Sequence, residues 1–89
     1  MQELPGADLV EEGIRDLVAG VETVAACLVS IGAPKLRALG CAIPTATLPS
    51  AEHRLYALLA KEGSDTAHAR YNALLRRLVS FEHAAACVR

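Results

Sequence analysis

Apolar side chains at Val10, Ile14, Leu17, Val21, Val24, Leu28 and Ile31 recur in alternating steps of four and three. That spacing puts all seven on one stripe of an α-helix and predicts a single helix over residues 8–31. Asp8 suits its first turn as a cap, Glu11 and Glu12 complement the positive end of the dipole, and Gly32 followed by Pro34 stops it. At 1.5 Å per residue such a helix is roughly 35 Å long. Ala67, Tyr71, Leu74, Leu78, Phe81, Ala85 and Val88 repeat the same steps. They predict a second long helix over residues 65–88, capped by Ser64 or Asp65.

Between the two stripes the pattern shortens. Pro34 near a helix start and Gly40 past its end bracket a helix of residues 34–39. Ile43 and Leu48 each precede a proline, which biases them to extended backbone while their side chains stay apolar. Residues 41–49 therefore predict an ordered crossover that returns the chain along the bundle. Ser50 is a suitable N-cap for a helix carrying Leu55, Leu58 and Leu59, with Gly63 as its left-handed C-terminal residue, over residues 51–62. The expected fold is an all-α single domain, a small helical bundle with two long amphipathic helices, one short helix and an extended Pro-containing crossover. Residues 1–7 are expected to lie outside the ordered bundle.

Composition agrees with this. The chain is 53% hydrophobic but only 3% aromatic, so alanine, leucine and valine must fill the core. Small aliphatic side chains suit the thin spaces between helices, whereas a sheet would call for more β-branched and aromatic residues. The 89 residues suffice for one core and leave no room for a second domain.

Charge divides the chain in two. Before Ala33 the acids Glu3, Asp8, Glu11, Glu12, Asp16 and Glu22 face only Arg15, a net −5. From Ala33 onward Lys35, Arg37, Arg54, Lys61, Arg70, Arg76, Arg77 and Arg89 outnumber Glu52, Glu62, Asp65 and Glu82, a net +4. The two segments can attract each other within one chain or between chains. The overall charge of −1 gives no global pull toward nucleic acid or an anionic membrane. The start MQELPGADLVEEG lacks a basic, then apolar, leader pattern, and no apolar run approaches the roughly 20 residues of a membrane span. A cytoplasmic location is expected. Cys27, Cys41 and Cys87 are odd in number and form no C-x-x-C pair, so they read as reduced thiols.

Inside the first stripe Gly13, Gly20 and Cys27 stand seven apart, a line of small side chains along which another helix backbone can approach. Val18, Ala25 and Val29 add a second apolar edge beside it. These six residues form the candidate interface. A lone 35 Å helix with two apolar edges needs more cover than the short elements can give, so a homodimer, or association with another helical protein, is expected.

Signals for chemistry are sparse. His83 and Cys87 lie one helical turn apart and together offer one face of a metal site, but two ligands do not complete one. Measured from the apolar stripe, Arg76, Ser80, His83 and Cys87 occupy the opposite, solvated side. The run His68-Ala-Arg-Tyr-Asn72 gathers varied side chains, with Tyr71 on the core stripe and His68 and Asn72 beside it. Arg54, Arg70, Arg76 and Arg77 make a candidate basic patch, without the interleaved exposed aromatics that single-stranded nucleic acid favours.

Arg77 and His83 also form an R-x5-H that resembles the R-x4-6-H motif of the HEPN family of helical ribonucleases and toxins. The resemblance spans seven residues and implies Arg77, or Arg76, with His83 as an RNA-cleaving pair. On a continuous helix residues six apart diverge by about 120°, so Arg76, seven from His83, would share its face while Arg77 would not. Taken together, these signals lead to a non-enzymatic, self-associating interaction protein, with no catalytic residue, cofactor or metal expected. A small nucleic-acid-binding regulator using the arginine patch comes second, and a HEPN-like nuclease or metal protein using His83 third.

Overall fold

The computed structural model describes residues 4–45 and 47–87. It is all-α, with five helices and no strand among the described residues: α1 (Ala7–Ala19), α2 (Val24–Ile31), α3 (Ala33–Ala38), α4 (Ala51–Glu62) and α5 (Ala67–Cys87). The last three, α3, α4 and α5, follow the expected elements closely. Val88 lies outside the described residues.

The single helix expected over residues 8–31 is two helices folded back on each other. Gly20 ends α1 in the left-handed region at φ 75°, and its N–H and that of Val21 turn back to the Asp16 carbonyl. Two residues later Thr23 starts α2. Its hydroxyl oxygen accepts from the Ala26 N–H at 3.1 Å, and its hydroxyl donates to the Asp16 carboxylate at 2.6 Å. One side chain thus caps the new helix and ties it to the end of the old one, in a position where capping contributes about 1 kcal/mol. Six of the seven stripe residues lie in α1 or α2 and pack on the core, whereas Val21 falls in the turn and is 48% exposed.

The fold-back places α2 at the centre of the molecule, packed against α1, α3, α4 and α5. Ala25, Ala26, Cys27, Leu28 and Val29 are all buried, consecutive positions that point in every direction around the helix. A helix apolar all round is one that is covered all round. It packs closely on α1 at Gly13, where even a β-carbon would overlap the Ala25 carbonyl oxygen and a Val29 methyl.

Around this axis α3 contributes Leu36, α4 contributes Leu55 and Leu59, and α5 contributes Ala67, Leu78, Phe81 and Ala85 to the buried core. Residues 4–6, expected outside the bundle, turn into α1, and Leu4 packs against the core. Gly6, not Asp8, stands before the first helical residue; Asp8 sits in the first turn. The crossover is ordered as expected on either side of residue 46, with Cys41, Ile43 and Leu48 packed on the core. The Arg37 guanidinium donates to the Pro44 carbonyl at 2.6 Å, and the Leu48 N–H donates to the Ser30 hydroxyl at 3.1 Å.

Three caps differ from expectation. Ser50 precedes α4 but adopts a left-handed backbone, and its side chain makes no capping bond. Gly63 is extended, at φ 173°, a geometry open to any residue, where a left-handed one was expected. Ser64 and Asp65 face each other in the turn before α5, and the first helical bond runs from the Arg70 N–H to the Thr66 carbonyl.

Candidate interaction surface

The small-residue line does not form a surface. Gly13, Ala25, Cys27 and Val29 are buried within the chain, because the helix that approaches them is the chain's own: α1 and α2 cover each other. Gly20 is exposed at the turn with open space about it, and Val18 is 73% exposed. Of the six candidate interface positions, only these two face solvent. The second apolar edge that was expected to need an outside partner is thus mostly closed by the hairpin.

The charge asymmetry is also partly resolved within the chain. Arg54 reaches Glu22 at 2.6 Å and, through Nε, the Pro49 carbonyl at 2.7 Å, joining the start of α4 to the α1–α2 turn. Arg77 meets Asp8 at 3.5 Å, and Arg70 meets Glu62 at 2.7 Å. Three of the four guanidinium groups in the basic patch are therefore held by acids of the same chain. Exposed pairs of this kind contribute about 0–1 kcal/mol each, so they orient side chains more than they stabilise the fold. Arg76 is exposed and has no ion-pair partner among the described residues.

Helix α5 runs unbroken past the R-x5-H. Arg77 turns to Asp8 on α1, whereas Arg76 and His83 share the solvated side, as helical geometry requires. His53, His68 and His83 are all exposed, and no group of three His, Cys, Asp or Glu that could hold a metal occurs among the described residues. The Asn72 amide lies 3.2 Å from the His68 ring nitrogen, a surface pair one turn apart. Tyr71 meets Tyr56 of α4 edge-on, with ring centroids 5.6 Å apart.

The thiols differ in setting. Cys27 is buried, and desolvation pushes its pKa up, with Glu22 adding to the shift and Arg54 opposing it. Burial raises Cys41 too. Both are held in the protonated, poorly nucleophilic form at neutral pH. Cys87 is exposed beside His83. Replacing His83 and Cys87 together with alanine should move stability by less than about 0.5 kcal/mol, since neither touches the core. A urea titration of the double variant checks this, and a clear loss would place that face in the fold's support.

A surface that the periodicity did not single out lies on α5. Leu75 and Val79 form a shallow apolar strip, with Val79 47% exposed, bordered by Asn72, Arg76 and Ser80. It continues over Ile31 and Pro34 at the α2–α3 corner, where Lys35 and Glu82 form its far rim. Glu82 is 6% exposed, its carboxylate 3.9 Å from the Lys35 amine. The signal was present in the doublets Leu74-Leu75 and Leu78-Val79. In each, the first residue lies on the core stripe and the second on a neighbouring edge.

Compared with known proteins, the chain matches no family model, no curated protein and no solved structure. Its class rests on the fold alone, a small all-α bundle. No helix among the described residues is long and apolar enough to cross a membrane.

Proposed function

We propose that the chain is a non-enzymatic interaction module that acts as a self-associating helical bundle in the cytoplasm. The observation that carries this reading is the Leu75–Val79 strip, an apolar surface rimmed by polar and charged side chains on the longest helix. Apolar patches edged in this way are where soluble proteins meet partners. Val18 and Val21, 73% and 48% exposed at the α1–α2 turn, add apolar surface at another place. The chemistry-bearing side chains support a binding role over a catalytic one. The histidines are solvated on separate turns, and two of the three thiols are held protonated by burial.

Sedimentation equilibrium at low micromolar concentration tests the reading. In high salt the −5/+4 attraction is screened while apolar contacts persist. A mass of twice the 9.4 kDa chain is expected, and a monomer of 9.4 kDa throughout the concentration range would overturn self-association.

A further inference from the structure

We infer that the Leu75–Val79 strip receives the outward face of α1 from a second copy, and that the contact is reciprocal, so that each copy both offers α1 and accepts it. This rests on the self-association reading and names its surface and its occupant. Any occupant of the strip must bring apolar surface for Leu75 and Val79 and negative charge for Arg76, which is exposed without an ion-pair partner among the described residues, whereas Lys35 on the far rim already faces Glu82.

The chain's own α1 offers one apolar side chain, Val18, with two acids close to it. At 100° per residue, Glu11, Glu12, Arg15 and Val18 fall in one sector about 120° wide on α1. All four are exposed, and Val18 is the most exposed large apolar side chain described. Glu11 and Glu12 make no ion pair among the described residues, although their neighbour Asp8 does, with Arg77 of α5. An acid of α1 on a base of α5 is therefore a pairing this chain already makes within itself, one turn before the two unused acids. A strip with Arg76 at its edge is poorly matched to the same strip of a second copy, which would bring like charges together. The α1 face, where Glu11 and Glu12 outnumber the single Arg15, removes that conflict. A two-fold axis relating the copies satisfies both strips and both α1 faces at once and leaves no unfilled end.

The test is sedimentation equilibrium of the full chain at physiological ionic strength, with circular dichroism confirming helicity in each variant. Val79→Glu, at an exposed position, should weaken the dimer by about tenfold or more while the helices persist. Arg76→Glu should do likewise, and adding Glu11→Arg and Glu12→Arg to it should return the dissociation constant to within about threefold of the native value. A native dimer indifferent to Val79→Glu would overturn the strip as the interface and leave self-association standing. A dimer weakened by Arg76→Glu but not restored by the reversed acids would overturn α1 as the occupant. Assemblies that grow beyond two copies would overturn the reciprocal arrangement, and a native monomer would remove both readings together.

Discussion

Gly13→Ala lowers the free energy of unfolding by about 3 kcal/mol, as overpacking against an immovable neighbour does. The sign carries the test. In a solvent-facing helix the same change stabilises by up to about 1 kcal/mol, because alanine has the higher helix propensity. Here the added β-carbon meets the backbone carbonyl of Ala25, which belongs to the central helix and cannot rotate away, and a methyl of Val29, itself fully buried. Relief requires α1 to lift from α2. A urea titration that shows an earlier midpoint at an unchanged slope confirms the loss. A neutral or stabilising result would mean that the two helices are not in contact there. Gly20 is the control. No atom beyond Gly20 and its chain neighbours lies within 4 Å of a β-carbon built there, so only its left-handed backbone opposes substitution, at a cost of about 1 kcal/mol for alanine.

Leu28→Ala has an effect of similar size through the opposite defect. Leu28 is fully buried on the helix that every other helix touches, so the cavity has walls from several elements and little freedom to collapse. A loss of about 3 kcal/mol is expected. A domain of 89 residues has in total only about 4–13 kcal/mol of stability, so the variant should melt about 15 °C lower. Thermal unfolding followed by circular dichroism measures it. A shift of only a few degrees would show that the central helix is less enclosed than its burial indicates.

The helices after Gly32 were legible in the sequence because their signals are local and agree with one another. Pro34 and Gly40 bracket α3, the leucine spacing sets α4, and one stripe runs the length of α5. The first stripe misled because a stripe records which side of the chain is apolar, not whether the chain is straight. The step that bridged the two halves was Val21, which belongs to neither helix and is 48% exposed. Two residues could have decided the matter: Gly20, suited to end a helix, and Thr23, suited to begin one. The composition of α2 could have done so as well, since Val24-Ala-Ala-Cys-Leu-Val has no polar side for an outer helix to show. The candidate interface failed with the straight helix, because four of its six residues are what the fold-back buries. The apolar strip on α5 stayed hidden because Leu75 and Val79 stand next to stronger core positions. Packing buries Leu78 and exposes Val79, while Leu74 and Leu75 are both half-buried.

The hairpin of α1 and α2 also has a consequence in time. Gly13 and its neighbours Ala25 and Val29 are only 12 and 16 positions apart, so their contact closes a short loop at a small cost in chain entropy. On a growing polypeptide this pair is complete once residue 31 has emerged, before α4 or α5 is free to pack on it. The nascent hairpin must then hold the Leu28 side of its inner helix open to water until Leu55, Leu59 and Phe81 arrive. The segment that becomes the most protected part of the finished molecule thus begins as its most exposed.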